Sequence, residues 1–455
     1  MGRDIFFRYS SHTFSLGQAL GWIGTVVLLA LLGAHFFRAS AYGLLACCVG
    51  VFLLHCGHAQ WKRYAVSFFL LWGAIEWGAT AYTLAQIRIQ AGLPWLRAAC
   101  ILWGVACVTG LGAVALYRQQ RRTVGENAHT RLKGIVFTGS FCALYYLALP
   151  APIPLLLLER FAPGWGEAQV LFIAWYSVFA LALLLSPKRS RKGRKLLWAV
   201  FSLVFFGQLA LGLLGVEKML MTGNLHIPVP GFIIFGPVFR GICSMMLVLL
   251  PMATLLGGST WCSMLCYFGP LDSVVADNTP VKPIPPILQW MVRYGRPCVL
   301  AVGILVALAL RVLEQPLEVA LGISFLFVCA SLCVMAIISK KYNSMMHCTA
   351  FCPVGIVVNT LGKISPWRIR IEQEKCDNCG VCEKICKYRA ISSASRAKGT
   401  AALQCSLCMD CIPACKKQAI NLRTAVLPLS GTTAKHVFLA LLVIMHAVFI
   451  AFARV

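Results

Sequence analysis

Acidic residues are scarce in this chain: 15 Asp and Glu stand against 41 Lys and Arg, and charged residues of both signs make up only 12% of 455 positions. So few charges cannot clothe the surface of a soluble protein of this length, which excludes an ordinary water-soluble domain. Several cofactor signatures are missing as well. There is no C-x-x-C-H for covalent haem, no G-x-x-x-x-G-K-[ST] for a phosphate-cradling loop, and no G-x-G-x-x-G after a strand for a dinucleotide. Any flavin or nicotinamide chemistry therefore belongs to a partner.

What the chain has instead is apolar length, with 59% hydrophobic residues and a mean hydropathy of +0.77. Runs of roughly 17 to 25 apolar residues are what the bilayer core requires of a helix. About eleven such runs can be marked, at 15–37, 41–57, 64–86, 95–117, 134–158, 167–186, 196–216, 241–260, 297–313, 317–339 and 434–453. The expected fold class is an all-α polytopic membrane protein. The first run is too long for a signal-peptide core and lacks a cleavage site, so it counts as a membrane helix.

The net charge of +26 does not point to nucleic acid, because of where the charges lie. Alternating the loops between two sides puts most Lys and Arg on one of them, including "RQQRRTVGENAHTRLK" (118–133) and "KRSRKGRK" (188–195). Basic loops beside membrane helices are orientation signals that touch anionic lipid, and their side is the cytoplasm. The N-terminus is then cytoplasmic and the C-terminus periplasmic.

This topology places a cysteine-rich polar stretch in the cytoplasm, where disulfides rarely persist, so the 22 cysteines read as metal ligands or packing residues. Cys376, Cys379, Cys382 and Cys386 form C-x2-C-x2-C-x3-C, and Cys405, Cys408, Cys411 and Cys415 repeat it with identical spacing. Two residues between cysteines let three thiolates of one tight loop reach three corners of an iron–sulfur cube, while the fourth points at the other cube. One [4Fe-4S] cluster then takes Cys376, Cys379, Cys382 and Cys415, and the second takes Cys405, Cys408, Cys411 and Cys386. A zinc module would use two separated pairs or include His. The stretch resembles a bacterial-type two-cluster ferredoxin of α+β fold over residues 366–425. Lys387 and Lys416 stand where that family has Pro; the added charge raises the potentials or faces an acidic partner.

Two further pairs, Cys262 and Cys266 in "WCSMLCYFGPLD" and Cys348 and Cys352 in "HCTAFCPVG", are C-x3-C elements just past the cytoplasmic ends of helices that run from outside to inside. Packing those helices together would bring four thiolates to one point at the membrane boundary, as a third iron–sulfur or iron centre or as thiol pairs cycling through disulfides. Cys329 and Cys333, inside an apolar helix, read as packing. Two C-x3-C elements ahead of a double [4Fe-4S] domain resemble the NapH/NosR membrane polyferredoxins, which include YccM-like and CcoG-like proteins, over about 240–425. Tyr267 departs from that pattern by replacing Pro after Cys266.

That resemblance implies a bacterial inner-membrane protein, a subunit of a quinol dehydrogenase-type redox complex, that transfers electrons between the quinone pool or an extracytoplasmic redox partner and cytoplasmic-side clusters serving a cytoplasmic donor or acceptor. The alternative is a redox-sensing or metal-reducing protein for maturation of another enzyme. The domains expected are 1–230, an unrecognised membrane extension; 231–365, the family membrane segment; 366–425, the ferredoxin domain; and 426–455, a last membrane helix.

Isolated charges in apolar surroundings complete the reading. Glu76 in "WGAIEWG" and Arg240 are candidates for a quinone or proton path, and Glu76 is alternatively a structural group carried protonated. "HIPVPGFIIFGPVF" breaks with Pro228, Pro230, Gly231, Gly236 and Pro237 and is expected to be re-entrant or to lie at the outer interface, making Arg240 a buried charge in need of a partner. His35, His55, His58, His436 and His446 lie in or beside helices without the spacing that would make them a haem pair, so structural roles are expected.

Overall fold

Long apolar runs without competing polar partners satisfy their backbone internally, and the chain is accordingly helical nearly throughout. The computed structural model describes residues 16–57, 61–123, 128–148, 151, 153–219, 229–276, 279–425 and 431–452. In chain order the helices are α1 (Leu16–Arg38), α2 (Tyr42–Cys56), α3 (Lys62–Gln90), α4 (Leu96–Thr123), α5 (Ala128–Ala148), α6 (Leu157–Phe161), α7 (Gly166–Leu185), α8 (Ser190–Leu213), α9 (Phe232–Arg240), α10 (Met245–Gly257), α11 (Gly269–Val275), α12 (Pro286–Trp290), α13 (Arg296–Val312), α14 (Leu317–Cys333), α15 (Lys340–Tyr342), α16 (Pro353–Leu361), α17 (Val381–Ile385), α18 (Ser393–Ala397) and α19 (Gly431–Ala451). Among the described residues eight helical stretches are long and apolar enough to cross a membrane. Leu203, Phe325 and Leu326 are among the large apolar side chains those stretches leave exposed, as a lipid-facing surface requires.

Three of the eleven marked runs are not among the eight. α2 is apolar but has only 15 residues. α3 has 29 residues, yet its Trp, Tyr, Gly and charged side chains dilute its hydropathy. In the run at 134–158 the described helix α5 covers residues up to Ala148, and the sequence that follows carries Pro150, Pro152 and Pro154.

The chain divides into two compact units, residues 1–138 with 162–172 and residues 139–161 with 173–455. In the first, His35 lies 4.3 Å from the Trp77 ring and 3.4 Å from the Thr80 hydroxyl, and buried His55 stacks on Trp22. Glu76 is half-buried on α3. His58 and Pro228 lie outside the described residues.

In the second unit the interrupted stretch after Gly231 is two helices. α9 ends at Gly241, whose φ of 69° only glycine adopts without strain, and Ser244 caps α10 by accepting the Leu247 N–H. Arg240 differs from expectation: at the end of this short helix its side chain is exposed and donates back to the Gly236 carbonyl of its own turn, so it is not a buried charge. His446 is fully buried and held from both sides, with Nδ1 at 3.2 Å from the Met264 carbonyl and Nε2 at 2.9 Å from the Tyr176 hydroxyl.

The polar segment before α19 is built on a two-stranded antiparallel sheet, β1 (Trp367–Ile371) and β2 (Ile420–Thr424), in register Trp367↔Thr424 through Ile371↔Ile420. Trp367, Ile369, Ile371, Ile420 and Leu422 turn inward, as period-two alternation dictates. The sheet docks on the membrane helices: the Trp367 indole N–H donates to the Leu256 carbonyl of α10 at 2.7 Å, and its ring meets Phe438 of α19.

Candidate metal centres

The two C-x2-C-x2-C-x3-C loops repeat in conformation as well as in sequence. Asn378 and Gly380 in the first, and Leu407 and Met409 in the second, take positive φ at equal offsets from the leading cysteine. Arg389 and Gln418 do the same three residues after Cys386 and Cys415. Left-handed backbone costs a non-glycine residue on the order of 1–2 kcal/mol, and its recurrence at matched positions marks loops curled around something. A cleft of about 330 Å³ is lined by Cys376, Cys379, Cys382 and Cys415, three from the first repeat and the fourth from the second. The complementary group is also gathered: Cys411 interacts electrostatically with Cys408, Cys405 and Cys386. Burial pushes the Cys411 thiol well up and Cys405 up to about 12, an arrangement unfavourable to bare thiolates and relieved when a cation is bound.

Backbone N–H groups point at these sulfurs. Ala390 donates to Cys386 Sγ at 3.2 Å and, in the equivalent place, Ala419 donates to Cys415 Sγ at 3.4 Å. Among the described residues no three His, Cys, Asp or Glu side chains are close enough to hold a single metal ion. Four thiolates around one zinc would stand about 3.8 Å apart, from Zn–S bonds of about 2.3 Å; a cube spreads its ligands wider, and the chemistry of eight thiols with no histidine suits it.

The boundary pairs are structurally equivalent. Each sits on one π-helical turn, Trp261–Leu265 and His347–Phe351, closed by Cys266 N–H to the Trp261 carbonyl at 2.9 Å and by Cys352 N–H to the His347 carbonyl at 2.8 Å. Each closing cysteine is extended and precedes a short helix, α11 or α16, whose first N–H groups point back at the sulfur: Phe268 and Gly269 toward Cys266, Val354 and Gly355 toward Cys352. The four thiols converge, since Cys348 interacts electrostatically with Cys352, Cys266 and Cys262. Cys329 and Cys333 on α14 are not part of this group.

Charged neighbours absent from the sequence reading complete this site. Buried Arg296 interacts with Cys262, Cys352 and Cys348, and a Cβ on Gly355 would stand 2.9 Å from its guanidinium. Asp272 Oδ2 accepts the Cys348 N–H at 3.0 Å, and burial holds its carboxyl up to about 6 despite that bond. His347, buried between Phe268 and Phe351, is pushed by burial down to about 3 and is neutral. Their only sequence signal is rarity, a charge or imidazole beside a cysteine in an apolar chain.

Lys387 is buried, and its ammonium donates to the carbonyls of Ala276, Thr279 and Asn343 at 3.0, 2.6 and 2.8 Å. Lys416, at the matching place in the second repeat, is exposed. Lys387 thus ties the ferredoxin segment to the loops beside α11 and α15. Lys387→Met keeps the stem and strands three carbonyls, each unsatisfied group costing about 1–3 kcal/mol; we expect limited proteolysis within 366–425 to accelerate at least tenfold, and an unchanged rate would remove the latch.

Comparison with known proteins bears on the first of these loops and on the chain's general character. Residues 369–392 match the 4Fe-4S binding domain family. The chain is 23% identical to Escherichia coli YccM, provisionally named an electron transport protein, over 222 residues, 45% of this chain and 58% of that protein. It is 26% identical to the uncharacterized protein MJ0749 of Methanocaldococcus jannaschii over 77 residues, 17% of this chain and 30% of that one. The chain thus spans less than two thirds of either relative. No solved structure matches. The resemblance to YccM-like polyferredoxins holds over just under half of the chain, and the chain carries an iron–sulfur binding domain together with membrane-length helices.

Proposed function

We propose that this chain is a membrane-bound electron-transfer protein, relaying electrons between the quinone pool or an extracytoplasmic redox partner and two [4Fe-4S] clusters on the cytoplasmic side, for a cytoplasmic donor or acceptor within a redox complex. The observation that carries it is the sorting of eight cysteines into two crossed groups on a sheet bonded to α10 and α19. The cubes, when bound, supply one-electron transfer. The chain's own residues hold them, exclude water around Cys411 and aim N–H dipoles at their sulfurs. Cys379 is exposed, which favours the group of Cys376, Cys379, Cys382 and Cys415 as the exit toward a soluble partner.

The four boundary thiols extend this reading to a third iron–sulfur or iron centre, and Glu76 is the candidate for a quinone or proton path. The domain division we propose, 1–230, 231–365, 366–425 and 426–455, follows the motifs and not the two compact units. Purified protein should oxidise a quinol analogue, or take electrons from a low-potential donor, at a sustained rate. A stoichiometric burst without turnover would favour the redox-sensing or metal-reducing maturation protein.

Eleven crossings with an inner-membrane, cytoplasm-in orientation make a separate prediction. A reporter fused after Lys195, or within 390–400, should read cytoplasm, and one fused after Val455 should read periplasm. A cytoplasmic signal from the last fusion would require an even number of crossings.

A further inference from the structure

Arg194 of α8 is buried, and its guanidinium joins two loops that each carry cysteines of a different candidate centre. It grips the Asp410 carboxylate with two bonds, Nη2 to Oδ2 at 2.7 Å and Nε to Oδ1 at 3.1 Å, while Nη1 donates to the Ser263 carbonyl at 3.1 Å. Asp410 lies between Cys408 and Cys411; Ser263 lies between Cys262 and Cys266. The neighbourhood is shared more widely. The Tyr388 hydroxyl donates to the Cys262 carbonyl at 2.7 Å and the Trp198 indole to the Cys266 carbonyl at 2.7 Å. Trp198 and Tyr388 belong to one buried apolar cluster against which Cys262, Cys348, Cys386 and Cys408 all pack.

We infer that Arg194 is a positioning residue that locks the boundary cysteine turn to the inner cysteine loop and sets the charge felt by the group of Cys386, Cys405, Cys408 and Cys411. The inference rests on the electron-transfer reading above. Stability alone does not call for a charge here, because a buried ion pair is commonly replaced by apolar side chains of similar volume without loss. A fixed charge pair in a dry interior does change the local field, and that field acts over short distances where the dielectric constant is low. Arg194 interacts directly with Cys408, and Asp410 does so with opposite sign. The outer group has its own arginine, Arg396, which pairs with Glu383 at 2.6 Å and interacts with Cys382, so the Arg194–Asp410 pair acts on the inner group alone.

The test is a redox titration followed by paramagnetic resonance on the full-length protein in detergent, comparing wild type with Arg194→Gln, Arg194→Lys and Asp410→Asn. Removing the positive charge should lower the midpoint of the inner cluster, and removing the negative one should raise it. Each shift is expected to reach a tenfold change in the reduction equilibrium, about 59 mV for one electron. The outer cluster should stay put, and Arg194→Lys should return the inner midpoint toward wild type. Asp410→Asn keeps the shape of its parent and stands alone as the test should Arg194→Gln fail to accumulate. Shifts of the same sign, equal shifts of both clusters, or no shift overturns the role. Wild-type protein without any iron–sulfur signal would instead strike at the proposed function.

Discussion

Cys386→Ala should abolish the cluster held by Cys405, Cys408 and Cys411 while sparing the one built on Cys376, Cys379 and Cys382, although Cys386 adjoins the latter in sequence. Cys386 interacts electrostatically with Cys411, Cys408 and Cys405, and the cleft of the other group is closed by Cys415. A cube that loses one of its four thiolates is left incompletely ligated. Paramagnetic resonance of the reduced protein should therefore lose one of two signals, and their magnetic interaction with it. Cys415→Ala should give the mirror result. Loss of the sequence-adjacent cluster in each case would mean local ligation, and the loops would have to be rebuilt around that pairing.

Much of this was legible in sequence, for a reason that differs from element to element. Cysteine spacing carries the two ferredoxin groups because a cube demands its ligands at short fixed separations, and few other roles impose them. Apolar run length carries the membrane helices, but it cannot see where a helix stops. The run through Ala148 looked continuous because Leu, Ala and Ile alternate with the three prolines that follow it in the sequence. Arg240 looked buried because its neighbours are apolar, yet a nine-residue helix turns it outward.

The residues missed are those whose role depends on distant partners. Lys387 read as an altered turn residue, and only the fold brings the carbonyls of Ala276, Thr279 and Asn343 around its amine. Arg194 read as one more cytoplasmic charge among "KRSRKGRK". Its neighbour Arg191 does remain a third exposed, 3.9 Å from the same Asp410 carboxylate, whereas Arg194 is drawn inside. Orientation signals and structural arginines are indistinguishable in a basic loop until packing selects one of them. The paired π turns were likewise invisible, since i,i+4 cysteine spacing is compatible with an ordinary helix face, as it is for Cys329 and Cys333.

Iron should remain when both ferredoxin groups are gone. A variant with Cys376, Cys379, Cys382, Cys386, Cys405, Cys408, Cys411 and Cys415 all replaced by serine should retain membrane-embedded iron, held by Cys262, Cys266, Cys348 and Cys352. The site does not borrow a ligand from the replaced set: its thiols sit on two turns of matched geometry, each closed by its own i→i+5 hydrogen bond. Four thiolates in so dry a place need positive charge, and Arg296 alone supplies too little of it. Soft ligands of this kind select iron or an iron–sulfur cluster over hard cations. In the otherwise native protein the same centre should appear as iron beyond the about eight atoms that two cubes contain, and Cys348→Ala should remove only that excess. The competing outcome is equally concrete. A membrane-embedded variant free of iron, with the four thiols recovered as disulfides after mild oxidation, would make the boundary pairs a thiol relay, and the matched N–H groups of Phe268, Gly269, Val354 and Gly355 would then serve to stabilise attacking thiolates.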